Sequence, residues 1–402
     1  MKLRDESANK FKNLRTWIEI DSKAAKKNHD TFRGFIRPAT KLWAVVKSNA
    51  YGHGLVLFSK LMDTFGVDGF CVDSIVEGSR LREEGIRKQI LVLGPTLPTR
   101  FMEAAANDVT VSISNFDALK ALARTKAIPR FHIKIDTGFH RQGFYVEDIS
   151  KAIRVLKSQR SKVQSKFVGV FTHFAAAKDI AYPGYTEMQF KEFLKALKIF
   201  EKAGFRRLVA HAAATGGAVM DSKYHLGAVR VGMGLYGYHV SPELELQLRR
   251  PVGGRSLGLS NQWATGAPMI DLEPVLRWRT VISEVKRIRK GDYIGYDMKE
   301  RALAPGVMAV LPIGYWHGFP RSLSSVGRVL VNGTFARVLG RVSMDLTAID
   351  VTEAKCKPGD IVTLIGREGV HDLRATELAR MSDTHHYEFL TRLNPLIERV
   401  LV

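Results

Sequence analysis

Between residues 42 and 232 the chain repeats one pattern, a short apolar run followed by a longer amphipathic stretch. The apolar runs are LWAVVK (42–47), GFCVDS (69–74), ILVLG (90–94), VTVSI (109–113), FHIKID (131–136), FVGVFTHF (167–174), RLVAHAA (207–213) and AVRVG (228–232). Stretches between them, such as IVEGSRLREEG and YTEMQFKEFLKALKIFEKAG, have helical periodicity. Near-continuous apolar strands point to burial on both faces, as in a parallel sheet covered by helices. Eight strands, most followed by a helical stretch, predict an α/β fold of the (β/α)8 TIM-type barrel class.

The texture then changes. Residues 241–274 are rich in Gly, Pro and Ser and have little periodicity, so 241–272 reads as a linker or inserted surface loop. Beyond it the chain is β-rich. VGRVLVNGTFARVLG carries Asn332-Gly333 at a hairpin turn, and RKGD (289–292) and KPGD (357–360) mark further turns. Two helical pieces, ATELARM and YEFLTRL, come late. The expected organisation is a barrel over 22–240 and a C-terminal mainly-β domain over 273–402. The strand TWIEID (16–21) is available to join the second, and Asp21 or Ser22 caps a helix over SKAAKKNHDTFRGF.

Composition narrows the class. The chain has 402 residues, 45% hydrophobic and 25% charged, enough for a substantial core. No apolar stretch is long enough to span a membrane, and the charged N-terminus lacks a signal-peptide core, so a cytoplasmic protein is expected. The formal net charge is +21, but Lys and Arg are interleaved with acids along the whole chain. That is a solvated basic surface rather than a nucleic-acid module, and its field favours anionic small molecules. Cys71 and Cys356 lie in no metal or redox spacing and read as buried, inert thiols.

In such barrels chemistry gathers at the C-terminal ends of the strands. There this sequence places Lys47, Lys134 with Asp136, His173, His211 and Arg230, with Thr215-Gly216-Gly217 after the seventh strand and Gly232 after the eighth. Loops after the last two strands commonly hold a phosphate on exposed N–H groups. A lysine at a buried strand end opposite a phosphate site suggests a Schiff base with pyridoxal 5'-phosphate, because burial lowers the amine's pKa and only the neutral amine attacks a carbonyl. A lysine that snorkels to solvent would give the same pattern.

The run AVVKSNAYGHG (44–54) resembles the pyridoxal-phosphate attachment motif of alanine racemases, AVVKANAYGHG. KIDTGFHRQGF (134–144), FTHFAAAKD (171–179), HAAATGG (211–217), VRVGMGLYG (229–237), KGDYIGYD (290–297), IGYWHGFPR (313–321), GRVSMD (340–345) and YEFLTRLNP (387–395) resemble further elements of that family in the same order. Nine ordered matches from about residue 16 to 395 are specific, and the sequence is identified as a member of this family of fold-type III racemases.

The resemblance implies a division of roles. Lys47 carries the cofactor and is one catalytic base; Tyr296 is the other, on the opposite face. His173 and Arg230 provide the setting that lets a tyrosine act as a base, and Arg230 also faces the pyridine nitrogen. Related barrel decarboxylases place a carboxylate there, so Arg230 in AVRVG argues against decarboxylation. Arg141 binds the substrate carboxylate and the cofactor's phenolic oxygen, a task suited to its planar fork. Lys134, carbamylated in many members, orients it. Tyr51, Thr215, Tyr387, Gly232 and Met233 hold the phosphate, with Thr215 replacing the usual serine. The backbone N–H of Met344 meets the substrate carboxylate, and Asp345 is a positioning group. The β domain of one subunit delivers its tyrosine to the partner's barrel, so a homodimer with shared sites is implied. The activity implied is interconversion of L- and D-alanine for peptidoglycan.

Some positions depart from the family. Trp316 and His317 replace Ala-Asp of the usual GYADG, Lys178 stands at an aspartate position with Asp179 one residue on, and His140 replaces a small residue before Arg141. These touch the entry corridor or support shell and leave substrate size and side-chain preference open. A racemase acting on serine or a broader set, and a non-catalytic pyridoxal-phosphate homeostasis protein, remain alternatives. The latter lacks a tyrosine-bearing β domain, so GDYIGYD counts against it. His385-His386 has no third ligand at a supporting spacing, and no metal site is expected.

Overall fold

The computed structural model describes residues 11, 13–178, 183–249 and 270–402. The chain divides into two compact units. One comprises Ala24–Ala50 and Phe58–Glu273; the other comprises Met1–Lys23, Tyr51–Leu57 and Pro274–Val402.

The first strand, β1 (Thr16–Ile20), belongs to the second unit. The first unit carries β2 (Lys41–Val45), β3 (Gly69–Val72), β4 (Gln89–Pro95), β5 (Thr110–Ile113), β6 (Phe131–Lys134), β7 (Phe167–Phe171), β8 (Val209–His211) and β9 (Ala228–Val231). All pair in parallel in the order β8-β7-β6-β5-β4-β3-β2-β9. β8 and β9 are joined by the bridge between Ala214 and Arg230, with Arg230 N donating to Ala213 O at 3.0 Å and Gly227 N to Ala210 O at 2.9 Å, so the eight strands form a nearly closed barrel. β3, β5, β6 and β9 are buried at every position, Thr110, Ser112, His132, Lys134 and Arg230 included, as strands covered on both faces are. Helices cover the outside; Ile75–Glu83 starts at Ser74, whose hydroxyl accepts the Glu77 N–H.

The strands end earlier than their apolar runs. β2 stops at Val45 and β7 at Phe171, so Lys47 and His173 stand just past the strands rather than in them. Their backbones are thereby released from the ladder and aim side chains from loops on a rigid base.

The second unit continues with β10 (Leu276–Val281), β11 (Glu284–Ile288), β12 (Tyr293–Ile294), β13 (Glu300–Arg301), β14 (Gly306–Leu311), β15 (Arg328–Val331), β16 (Thr334–Leu339), β17 (Thr347–Asp350), β18 (Ile361–Glu368), β19 (His371–Leu373) and β20 (Glu398–Leu401). Its main sheet runs β11-β14-β17-β16-β15-β18-β10-β1-β20. β1 pairs antiparallel with β10 and parallel with β20. β10 alternates strictly, burying Leu276, Trp278 and Thr280, as a sheet with one face on a core must. Asn332 (φ 48°) and Gly333 (φ 78°) make the β15–β16 turn, both left-handed as a two-residue hairpin loop demands. Asp21 rather than Ser22 caps the helix Ser22–Phe35, accepting the Lys23 N–H at 3.0 Å.

Part of the expected linker is ordered secondary structure. Pro242–Arg249 is a helix, and the Ser241 hydroxyl accepts the Leu244 N–H at 3.1 Å. Residues 250–269 and Asp179 lie outside the described residues. No helix among the described residues is long and apolar enough to cross a membrane.

Candidate functional site

Three of the strand-end cations electrostatically influence one another. Lys134, at the end of β6, is pushed down to about 8 by burial and then by the neighbouring charges of Arg141 and Arg230, with Lys47 adding a smaller effect and Asp136 opposing. Arg230, on β9, is fully buried, and burial lowers it to about 10, so it stays protonated at neutral pH. Among the described residues neither is in an ion pair with a carboxylate. Arg230 Nη2 donates to Thr172 O at 2.8 Å and Ala212 O at 2.9 Å, and reaches His173 Nδ1 at 3.4 Å; Nη1 donates to His211 Nδ1 at 2.5 Å. Every one of these partners is neutral. Buried cations without a counter-charge are costly and call for an anion.

Two histidines extend this arrangement: His211, which the sequence places at a strand end without a role, and His132, which it does not mark. A guanidinium only donates, so His211 Nδ1 must accept and its proton sits on Nε2. That atom lies 2.8 Å from His132 Nδ1, which must in turn accept. Arg230, His211 and His132 thus form a buried chain with fixed tautomers. Burial and the Arg230 charge hold His132 down at about 3 and His211 well below the ordinary value. Phe171 stacks on His211 at 4.9 Å and 4°, and the Trp43 ring meets it edge-on at 4.9 Å. His173 is likewise held down at about 3, by burial and then by Arg230, Arg141, Lys134 and Lys47. It is a neutral imidazole here, and not a cation.

The loop that bears Arg141 is built by Asp136. Its Oδ1 accepts the N–H groups of Gly138, Phe139 and His140, each at 3.0 Å. The chain then returns, Phe144 N donating to Lys134 O at 3.0 Å. Arg141 lies at the tip with its guanidinium 4.2 Å over the Phe139 ring. Beside the last two strands, Thr215 Oγ1 accepts the N–H of Gly232 at 3.0 Å and of Gly234 at 3.4 Å. A hydroxyl that accepts both still has its own proton to give to an anion. Met233 is buried next to these N–H groups. A Cβ at Gly216 would meet Ala177 O at 1.8 Å, so only glycine fits that turn.

Of the remaining expected residues, Tyr51, Tyr296, His317, Met344, Asp345 and Tyr387 fall in the second unit, and Cys71 and Lys178 in the first. The Tyr51 and Tyr387 rings meet edge-on at 5.9 Å, and burial raises Tyr387 to about 12. Tyr296 follows Gly295 and precedes two left-handed residues, Asp297 (φ 63°) and Met298 (φ 50°), with Asp297 held by Arg341 at 2.6 Å. Tyr296 is 66% exposed. Met344 and Asp345 are exposed on the loop before β17. His317 Nδ1 accepts the Gly314 N–H at 3.2 Å, a local structural bond. Lys178 is exposed, and its carbonyl accepts the Ser241 hydroxyl at 2.7 Å. Cys71 is fully buried beside Arg230 and Lys47, its thiol pushed up to about 12. Cys356 is only half-buried, against the expectation for both thiols, because its KCKPGD context is a turn.

The donor set suits pyridoxal phosphate. Lys47 offers an amine, Thr215 and the N–H groups near Gly232 suit a phosphate, and Arg230 offers a donor to a ring nitrogen.

Residues 20–240 match the family model for the alanine racemase N-terminal domain, and residues 275–401 that for the alanine racemase C-terminal domain. An alanine racemase of Leptospira interrogans is 32% identical over 390 residues, covering 96% of each chain. One of Halothermothrix orenii is 32% identical over 389 residues, again 96% of each. The crystal structure of alanine racemase from Bacillus anthracis with bound L-Ala-P superposes with a TM-score of 0.85 at 29% identity, covering 96% of this chain and 95% of that one.

Proposed function

The chain belongs to the alanine racemase family of pyridoxal-phosphate-dependent isomerases, and on that premise we propose that it interconverts L- and D-alanine by a two-base mechanism. The observation that carries the reading is the cationic cluster of Lys134 and the fully buried Arg230, neither of them ion-paired with a carboxylate among the described residues, with Lys47 and Arg141 contributing to its field and Asp136 opposing it. Pyridoxal phosphate, when bound, supplies an electron sink for the pair left at Cα when a proton departs.

This chain's own residues do the rest. Lys47 would hold the cofactor covalently through Nζ and, once displaced by the substrate amine, remove or return the α-proton on one face. Tyr296 would do so on the other, its oxygen giving a proton as Lys47 takes one. Arg141 would receive the alanine carboxylate in a bidentate grip, with the Met344 N–H as a further donor and Asp345 positioning that loop. Arg230 would meet the ring nitrogen as a donor that keeps its proton, because its pKa of about 10 is far above neutrality. A sink with an unprotonated ring nitrogen is weaker, which restrains decarboxylation. Thr215, Gly232, Met233, Tyr51 and Tyr387 would hold the phosphate. His173, neutral and accepting from Arg230 on Nδ1, is left with an Nε2–H that can steady a tyrosine oxygen. Lys134 would take up CO2 as a carbamate and orient Arg141.

We further propose a homodimer in which Tyr296 serves the partner's barrel, with 22–240 as the cofactor-holding domain and 273–402 as the tyrosine-bearing one. The exposure of Tyr296 (66%), Met298 (68%), Met344 (54%) and Leu346 (50%) on one chain supports an apolar surface covered by a second copy. Supply of D-alanine to peptidoglycan in the cytoplasm is the place in metabolism this activity fits.

The test is direct. Holoenzyme given L-alanine in deuterated water should abolish optical activity while solvent deuterium enters Cα, with kcat/KM higher for alanine than for serine. Loss of CO2 from alanine, or no exchange at Cα by cofactor-loaded protein, would sink the reading. Faster turnover of serine would redirect its substrate.

A further inference from the structure

Immediately after Lys47 the backbone takes a left-handed helical turn. Ser48 (φ 55°, ψ 54°), Asn49 (φ 55°, ψ 43°) and Ala50 (φ 52°, ψ 49°) lie in it, and Tyr51 follows at φ 51°. Four successive non-glycine residues in this region are sterically unfavourable, Ala and Tyr more than Asn. Such a turn persists only where its surroundings over-determine it. The glycines nearby do not supply the freedom, because Gly52 (φ 85°) and Gly54 (φ 98°) come after the turn.

One side chain does the holding from the barrel side. Glu77 sits in the first turn of the helix Ile75–Glu83. Its Oε1 accepts the Ser48 N–H at 2.7 Å and the Asn49 N–H at 3.3 Å, and its Oε2 accepts the Asp73 N–H at 2.8 Å. Any helical turn leaves its first N–H groups without partners. Here a carboxylate satisfies two of them with charge-assisted bonds. The turn is closed behind them by Ala50 N donating to Val46 O at 2.8 Å. The Ser48 N–H belongs to the peptide group that Lys47 itself begins. Gripping that group fixes the ψ of Lys47, and with it the direction in which the side chain leaves the end of β2. Asp73 follows β3, the strand paired with β2, so the same carboxylate ties both strand ends together.

We propose that Glu77 is a positioning residue for Lys47: its carboxylate holds the strained left-handed turn and thereby aims Nζ. The proposal rests on Lys47 being the cofactor anchor and base, and its test separates the two ideas.

Three variants of the holoenzyme decide it, Glu77→Ala, Glu77→Gln, and Glu77→Ala combined with Ser48→Gly and Ala50→Gly. The first readout is amide hydrogen exchange of Ser48 and Asn49, which is independent of what Lys47 does. Glu77→Ala should speed exchange there about ten-fold or more, with helix 75–83 still protected. The second is kinetics. Misaimed reacting groups should lower kcat about 10- to 100-fold with KM within about three-fold. Glu77→Gln gives up the acceptor for the Asp73 N–H but keeps one oxygen for the Ser48 and Asn49 N–H groups, so it should stay within about five-fold of wild type on both readouts. Glycine adopts the left-handed region without penalty, so the triple variant should recover most of the lost kcat. Wild-type exchange in Glu77→Ala would overturn the proposal, as would faster exchange with kcat unchanged. A kcat loss that the two glycines fail to recover would overturn it too. If Glu77→Ala does not fold, a Glu77→Gln protein with ten-fold lower kcat and an unaltered turn would do the same. If wild-type protein does not racemise, the exchange data still decide the clamp, and the proposed function fails by itself.

Discussion

Lys134 supports a quantitative prediction. An ordinary lysine titrates near 10.5, and burial together with Arg141 and Arg230 brings this one to about 8. At pH 8 about half of its amine is neutral, against roughly 0.3% for an ordinary lysine, a gain of about 150-fold. Only the neutral amine adds CO2, forming an N–C bond and a carbamate while releasing one proton. The product is an anion among the cations that lowered the amine in the first place, so the reaction that relieves their repulsion is also the one they permit. Protein equilibrated with 13C-bicarbonate should show a slowly exchanging carbamate carbon by NMR that is lost in Lys134→Ala. Its appearance should follow a midpoint near pH 8. Arg141→Gln removes the second cause of the lowered pKa, so the midpoint should move to higher pH. A carbamate signal that persists in Lys134→Ala, or a midpoint above about 10, would refute the reasoning from this electrostatic setting.

Other outcomes follow from the same geometry. Thr215→Val strips the acceptor from the Gly232 and Gly234 N–H groups, so it should cost about 1–3 kcal/mol in denaturant unfolding and loosen cofactor binding. His132, His173 and His211 are buried neutral with lowered pKa values, so the unfolded chain binds protons that the folded one refuses. Stability is therefore intact above about pH 6.5 and falls as the pH drops below it, by about 1.4 kcal/mol per histidine per pH unit until the folded-state pKa is reached. The 15N shifts of His132 and His211 should show Nε2–H tautomers unchanged from pH 8 to 5. A midpoint near 6.5 for either would contradict the buried chain.

Features set by local chemistry were legible in the sequence. The Asn332-Gly333 hairpin, the helix Ser22–Phe35 and the eight barrel strands follow from turn residues and apolar period alone. Strand ends were not, because residue type does not mark where regular pairing stops: single bonds from Val46 N to Cys71 O and from Thr172 N to His211 O continue past β2 and β7, and Lys47 and His173 lie beyond them. The turn at 48–51 was illegible for a deeper reason. In Ser-Asn-Ala-Tyr only Asn49 favours a left-handed backbone, and what holds the turn is a carboxylate 29 residues away from Ser48. The His132–His211 contact joins β6 and β8, strands that are not neighbours, across a separation of 79 residues. Its effect on Arg230 therefore appears only when the barrel closes. Lys47, Arg141 and Arg230 stand in motifs, but that neither Lys134 nor Arg230 has an ion-pair carboxylate among the described residues is a property of the fold and not of any motif.

The most direct measurement mixes two inactive variants. Lys47→Ala and Tyr296→Phe homodimers should each lose nearly all racemisation, about 100-fold or more, since each would lack one of the two proposed bases. If Tyr296 serves the partner's barrel, a mixed dimer contains one site with both bases intact and one with neither. Random co-assembly gives half mixed dimers, each with half its sites whole, so co-expressed variants should recover about a quarter of wild-type activity. Recovery to that level is the predicted result. Mixed dimers, isolated by two different affinity tags, that stay as inactive as either parent would contradict a two-base site shared between subunits.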